Sequence, residues 1–184
     1  RGLDVTGMLA AASDNSLKAL VVAGAEIGDF GDPAAARDAF ENVGFLVSIE
    51  NRLSDIGACA DVVFPAALLE EQAGTFHNWE HRPRPVQRVN KALRAPMTDI
   101  RVLAALADAL GKDLGIRNAA QAAAELGELG AWEGEATAAP TVAAGVSEIT
   151  PDALRLATWR ELIDDSRRND GADELLATAK PPVA

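Results

Sequence analysis

Three short apolar runs set the rhythm of the first hundred residues. They are Leu17 to Ala25, centred on Leu20-Val21-Val22, then Phe45 to Ile49, then Val62 to Phe64. Each is rich in β-branched residues, bounded by turn signals and too short for a helix, so each predicts a buried strand of a parallel sheet. Helical patterns fill the spaces between them. Asp4 to Ser13 is rich in good helix formers, and Asp14-Asn15-Ser16 closes it as a turn cluster. Asp32-Pro33 has the form of an N-cap followed by proline at the first helical position. Ala36, Ala39, Phe40 and Val43 then mark one face, with Gly44 as terminator. Ser54-Asp55 caps a short helical turn reaching Cys59.

Beyond the third strand the rhythm changes. Ala66 to Gln72 is compatible with a helix, and Gly74 then opens a polar loop containing Thr75, Asn78, Glu80, Arg82 and Arg84. Val86 to Val89 reads as an edge strand. A helix is expected from Thr98-Asp99 to Leu110, ended by Gly111, with Ile100, Leu103, Ala104, Ala107 and Leu110 as its apolar stripe. Asn118 caps another, with Ala119, Ala122, Ala123, Leu126 and Leu129 on one side. Trp132 reads as a core anchor. Residues 135–150 have the composition of a linker. Thr150-Pro151 restarts helical structure, Thr158 and Glu161 have capping-box spacing, and Trp159, Leu162 and Ile163 form a docking face. Asn169-Asp170-Gly171 is a turn, and the last residues, through Pro181-Pro182, form an extended tail. The expected fold is α/β: a Rossmann-like parallel sheet layer over residues 1–134, a linker at 135–150, and a helical extension with its tail at 151–184.

In open α/β sheets, ligands bind beyond the carboxyl ends of the strands. That rule selects three candidate loops. Gly24, Gly28 and Gly31 follow the first strand, but their spacing is neither G-x-G-x-x-G nor a P-loop, and they read as a turn needing positive φ. Glu50, Asn51 and Arg52 follow the second strand. The loop after Gly74 is the densest in hydrogen-bonding side chains. Arg82, Arg84 and Arg88 make a basic cluster there, read either as a diphosphate patch or as a set of salt bridges to neighbouring segments. His77 and His81 are the only histidines. In extended structure, i and i+4 lie about 13 Å apart, so they do not form a metal pair. Glu70-Glu71 diverge on a helix and are solvated. No nucleophile–base constellation is visible, and no catalytic residue is assigned.

Composition narrows the field further. A net charge of -11 and a pI near 4.6 argue against nucleic acid or an anionic membrane as the main partner. The single cysteine, Cys59, rules out an internal disulfide or a cysteine-ligated cluster within this chain, and its apolar setting makes it a small core residue. No apolar run reaches the roughly 18 residues that span a bilayer.

The stretch ADVVFPAALLEEQAGTFHNWEHR, from Ala60 to Arg82, resembles the ADVVLP…E..GTF.N.EGR signature of the molybdopterin oxidoreductase family. The flanks LKALVVAGAEIGDFGDP, FLVSIENRLSDIGACADVVFP and TWRELIDDSRRNDG are most similar to its branch of G subunits of bacterial NADH–quinone oxidoreductase, respiratory complex I. In cofactor-bearing members the matching residues, here Gly74, Thr75, Asn78, Glu80 and Arg82, lie against a pterin–guanine dinucleotide. His81 stands where the pattern has glycine. The resemblance to the complex I branch implies a vestigial, non-catalytic domain with no cofactor or metal in this segment. Iron–sulfur clusters are expected in the upstream part of a longer polypeptide, of which this chain, starting at Arg1, reads as the C-terminal part. Implied partners are that upstream part and other subunits of the peripheral arm, on the cytoplasmic side of a bacterial inner membrane. The alternative is a fragment of an active molybdopterin-guanine-dinucleotide-dependent oxidoreductase.

Overall fold

A computed structural model describes residues 2–80, 82–90, 96–131, 133–135, 138, 163, 169 and 171–179. The chain divides into two units, one ending at Gly130 and the other beginning at Ala131. The first holds a three-stranded parallel sheet in the order β1-β2-β3: β1 Leu20–Ala23, β2 Leu46–Glu50 and β3 Val62–Pro65. Leu20 pairs with Leu46, and Val47 pairs with Val62. The three predicted strands are therefore present, in a mixed α/β architecture.

Helices α1 (Val5–Ser13), α2 (Pro33–Asn42) and α3 (Asp55–Cys59) precede β1, β2 and β3 in turn. Their caps follow the sequence. Asp4 accepts from Gly7 N–H, Asp32 from Ala34 and Ala35 N–H, and Ser54 Oγ from Gly57 N–H. Strand residues alternate between faces, and β2 is buried at every position. Leu46 packs with Ala12, Ala36, Ala39, Phe40 and Ile56 of the helices on one face. Ile49, on the other, packs with Ala66 and Val102. Phe30 and Phe40 meet edge to face with ring centroids 5.5 Å apart.

Several local expectations are corrected. Gly44 does not end α2 through a left-handed turn; Val43 is the C-cap, and Gly44 is absent from the positive-φ residues. A Cβ at Gly44 would lie 3.0 Å from the Lys18 carbonyl oxygen, so the glycine permits close backbone approach. Of Gly24, Gly28 and Gly31, only Gly24 has positive φ, at 62°. Ala66 to Gln72 contains only a 3-10 turn, Leu69–Glu71. Tertiary pairing overrides helix propensity there: Ala66 N–H donates to Glu50 O at 2.9 Å, and Ala67 N–H to Met97 O at 3.0 Å. The segment after Gly74 is not a loop. It is β4, Gly74–His77, paired antiparallel with β5, Pro83–Val86, which lies ahead of the expected Val86 to Val89.

Helix α4 spans Asp99–Ala109. It ends as predicted at Gly111, with φ of 72°. Gly111 N–H donates to Asp108 O, and Lys112 N–H to Ala107 O, the two bonds of a Schellman motif. Its buried face matches the expected stripe only in part: Ala104 is buried and Ile100 and Ala107 are half-buried. Val102 is buried as well, whereas Leu103 and Leu110 are 43% and 80% exposed. Two apolar stripes overlap on this helix, and periodicity alone does not say which meets the sheet. Helix α5, Ala119–Leu129, is capped by Asn118 but buries none of its residues. In the second unit, α6 covers Asp173–Leu176. The capping box at Thr158 and Glu161, the Trp159 and Leu162 positions of the docking face, Trp132 and residues 180–184 of the tail lie outside the described residues. The start of the tail is not extended: Leu175 and Leu176 belong to α6, and Thr178 and Ala179 N–H donate back to their carbonyls. No helix among the described residues is long and apolar enough to cross a membrane.

Candidate functional site

The predicted motif residues sit on the β4–β5 hairpin, and the register decides how. Asn78 N–H donates to Arg82 O at 3.3 Å. Counting back along the ladder, Phe76–Arg84 and Gly74–Val86 are also hydrogen-bonded pairs, while Thr75–Pro85 and His77–Pro83 are not. Both prolines thus occupy positions where a missing N–H costs the ladder nothing. That is how a proline-rich segment forms a strand.

Three of the motif residues close the hairpin tip. Asn78 Oδ1 accepts from Glu80 N–H at 3.0 Å and from Arg82 N–H at 2.9 Å. Asn78 Nδ2 donates to Glu80 Oε2 at 3.3 Å, and Arg82 Nη2 donates to Glu80 Oε1 at 3.1 Å. The Glu80 carboxylate therefore bridges the amide and the guanidinium of its neighbours. Trp79 at the tip is 88% exposed.

Gly74 and Thr75 do something different. With His77 they form one wall of a cleft of about 790 Å³. The start of α4 (Thr98, Asp99, Arg101) and the small-residue face of α5 (Ala119, Ala122, Leu126) supply other walls, and Glu71 and Arg88 also line it. Asn78, Glu80 and Arg82 do not line it. No atom lies within 4 Å of the place a Gly74 side chain would occupy, so that glycine leaves space. The basic cluster is likewise divided. Arg82 pairs with Glu80, Arg84 Nη1 donates to Pro83 O at 3.1 Å, and Arg88 Nε donates to Asn90 O at 2.8 Å. His81 lies outside the described residues.

The α4 and α5 residues of the cleft read from sequence as packing positions only. Their signals are the caps at Thr98 and Asn118, which bring two helix starts to the same opening. The clamp between these helices is Arg117, which makes a two-pronged contact with Asp108, one prong at 3.0 Å. This hydrogen-bonded pairing lowers the Asp108 pKa below its ordinary value and raises that of Arg117.

Glu50 is turned into the fold. It belongs to β2, is 4% exposed, and accepts from Ser54 Oγ at 2.6 Å and Ser54 N–H at 3.4 Å. It stitches the β2–α3 loop and faces Gly57. Asn51 and Arg52 are exposed just past it. Glu71 Oε2 accepts from Leu68 N–H at 3.0 Å, holding the 3-10 turn instead of facing Glu70. Cys59 is half-buried against the helical core.

The chain is 43% identical over 185 aligned positions to the G subunit of NADH-quinone oxidoreductase from Mycobacterium tuberculosis, covering 99% of this chain and 23% of the relative. It is 38% identical over 182 positions to the same-named protein of Streptomyces coelicolor, covering 96% and 22%. A more distant relative is the alpha subunit of F420-dependent formate dehydrogenase 1 from Methanococcus maripaludis, 32% identical over 116 positions, covering 60% and 16%. The chain thus spans about a quarter of the length of the two NADH-quinone oxidoreductase relatives. The family profile described as molybdopterin oxidoreductase matches residues 2–109, so this chain belongs to the molybdopterin oxidoreductase family.

Proposed function

We propose that this chain is a structural, non-catalytic segment of the G subunit of an NADH–quinone oxidoreductase, the enzyme that passes electrons from NADH to quinone and couples this to ion translocation. The likeness to two such G subunits over 96% or more of the chain supports the membership. The observation that carries the non-catalytic reading is the closed tip: Asn78, Glu80 and Arg82 bond one another and do not line the cleft.

The residues also fit a pterin dinucleotide poorly. Only Gly74 and Thr75 of the five motif residues reach the cleft. Among the described residues, its lining sets Glu71 and Asp99 against Arg88 and Arg101, with no excess positive charge for a diphosphate. The cleft then serves packing between segments of a larger assembly. Its partners are other parts of the same polypeptide and subunits of the peripheral arm, at the cytoplasmic face of a bacterial membrane. Iron–sulfur clusters belong to the polypeptide outside this segment. The α/β layer is read as part of a Rossmann-like sheet over residues 1–134, with 135–150 as linker and 151–184 as helical extension and tail.

Molybdenum analysis and pterin fluorescence on the purified full-length polypeptide test this. The expected content is far below one per polypeptide. Stoichiometric molybdenum and pterin would overturn it in favour of an active molybdopterin enzyme.

A further inference from the structure

Among the described residues, the outer edge of β1 has no neighbouring strand. Leu20 N–H donates to Phe45 O at 2.9 Å and Gly24 N–H to Ile49 O at 3.2 Å, so the even-numbered residues of β1 face β2. In a parallel ladder each residue turns its N–H and C=O to the same side, so Val21 and Ala23 present theirs outward. Among the described residues, no acceptor meets either N–H.

The side chains of the same two residues are bare as well. The core contacts of Leu46 place α1, α2 and α3 on the face shared by Leu20 and Val22. Val21 and Ala23 share the opposite face with Val47 and Ile49. Among the described residues, α4 packs there on Ile49, Phe64 and Ala66, over β2 and β3. Val21 is 47% exposed, and Ala23 is exposed too. Parallel sheets are covered on both faces, and an open apolar edge is a template for pairing.

We propose that this edge receives a parallel β-strand from a segment of the same polypeptide outside these 184 residues, and that the crossover helix of that strand covers Val21 and Ala23. The relatives supply the material, since more than three-quarters of their length lies outside the match. The strand is apolar and β-branched, because both its faces become buried. Its crossover needs a dozen or more residues. A second copy is disfavoured by symmetry and charge. Two β1 edges meeting across a two-fold axis would pair antiparallel without adding a helix, and would bring together two chains of net charge -11. The inference rests on the sheet and on the length of the relatives, not on the loss of a cofactor, so the two fail separately.

The test uses the full-length polypeptide with photoreactive benzoylphenylalanine in place of Val21, and mass spectrometry to map the cross-link. The expected product is an intramolecular link to one segment outside the 184 residues. Because that variant risks misfolding, residue-resolved amide exchange on the unmodified polypeptide accompanies it. Val21 and Ala23 amides are expected to exchange on the order of 100-fold or more slower than an unpaired amide, as strand amides do. Cross-links to a second copy, to another subunit or within the 184 residues would overturn the proposal, as would fast exchange at both amides.

Discussion

Gly57 offers the sharpest test of the packing. It lies inside α3, where alanine improves helix propensity by about 1 kcal/mol. The fold reverses that expectation. A Cβ at Gly57 would sit on Glu50 Oε1, 2.8 Å from Glu50 Cδ and 2.9 Å from Leu53 Cδ1. Leu53 is 69% exposed and can swing away, but Glu50 is 4% exposed and bonded to Ser54. Moving it costs about 1–3 kcal/mol for overpacking. Losing its hydrogen bond to the Ser54 hydroxyl costs about 1.5–3 kcal/mol more, as for bonds to charged groups. After the propensity gain, Gly57→Ala is expected to destabilise by about 1.5–5 kcal/mol, read by equilibrium urea unfolding. In a Glu50→Ala background the obstacle is gone, and the same substitution becomes neutral or stabilising. The propensity gain cancels between the two backgrounds, so the coupling between the two sites should be about 2.5–6 kcal/mol. If Gly57→Ala costs the same in both backgrounds to within about 0.5 kcal/mol, the Glu50–Gly57 contact is not what holds this loop.

Three further outcomes follow from other contacts. Asp61 Oδ2 accepts from the buried Leu46 N–H at 2.7 Å, so Asp61→Ala should destabilise by about 1–3 kcal/mol while Asp61→Asn, which keeps an acceptor, costs less; urea unfolding of both variants compares them. Asn78→Ala removes the acceptor for two backbone donors at the hairpin tip, and amide exchange at Glu80 and Arg82 should accelerate by about fivefold or more without a change at β2. The Asp108 pKa is depressed in the folded chain, so the Arg117 clamp adds stability above the unfolded carboxylate pKa and loses it as pH falls through the lower folded value. An NMR titration should place the Asp108 carboxyl below an ordinary aspartate, and Arg117→Ala should return it toward normal.

The parallel sheet is legible in the sequence because its strands carry a local signal that the fold does not contradict: β-branched runs between Asp, Ser and Gly caps. The hairpin is not. Pro83 and Pro85 argue against a strand until the register shows both in non-bonded positions, and register is a property of the pair. Ala66 to Gln72 has helix-forming residues, yet its backbone is drawn to Glu50 and Met97, partners sixteen or more residues away. The motif residues stand out in the sequence as hydrogen-bonding groups, but composition does not say whether such groups face a ligand or one another. Glu50 shows the same limit: its position at a strand end suggests a site, and its burial against Ser54 is a tertiary fact.

The two prolines of β5 also govern what the hairpin can become. With Pro83 and Pro85 on its outer side, that rim lacks the amide donors a third strand would need, so stacking into a growing β-ribbon is blocked there. The arm exposes its tryptophan beside a rim that cannot template a further strand. The tip at Trp79 is accordingly a suitable place to graft a short epitope for tracking the full-length polypeptide.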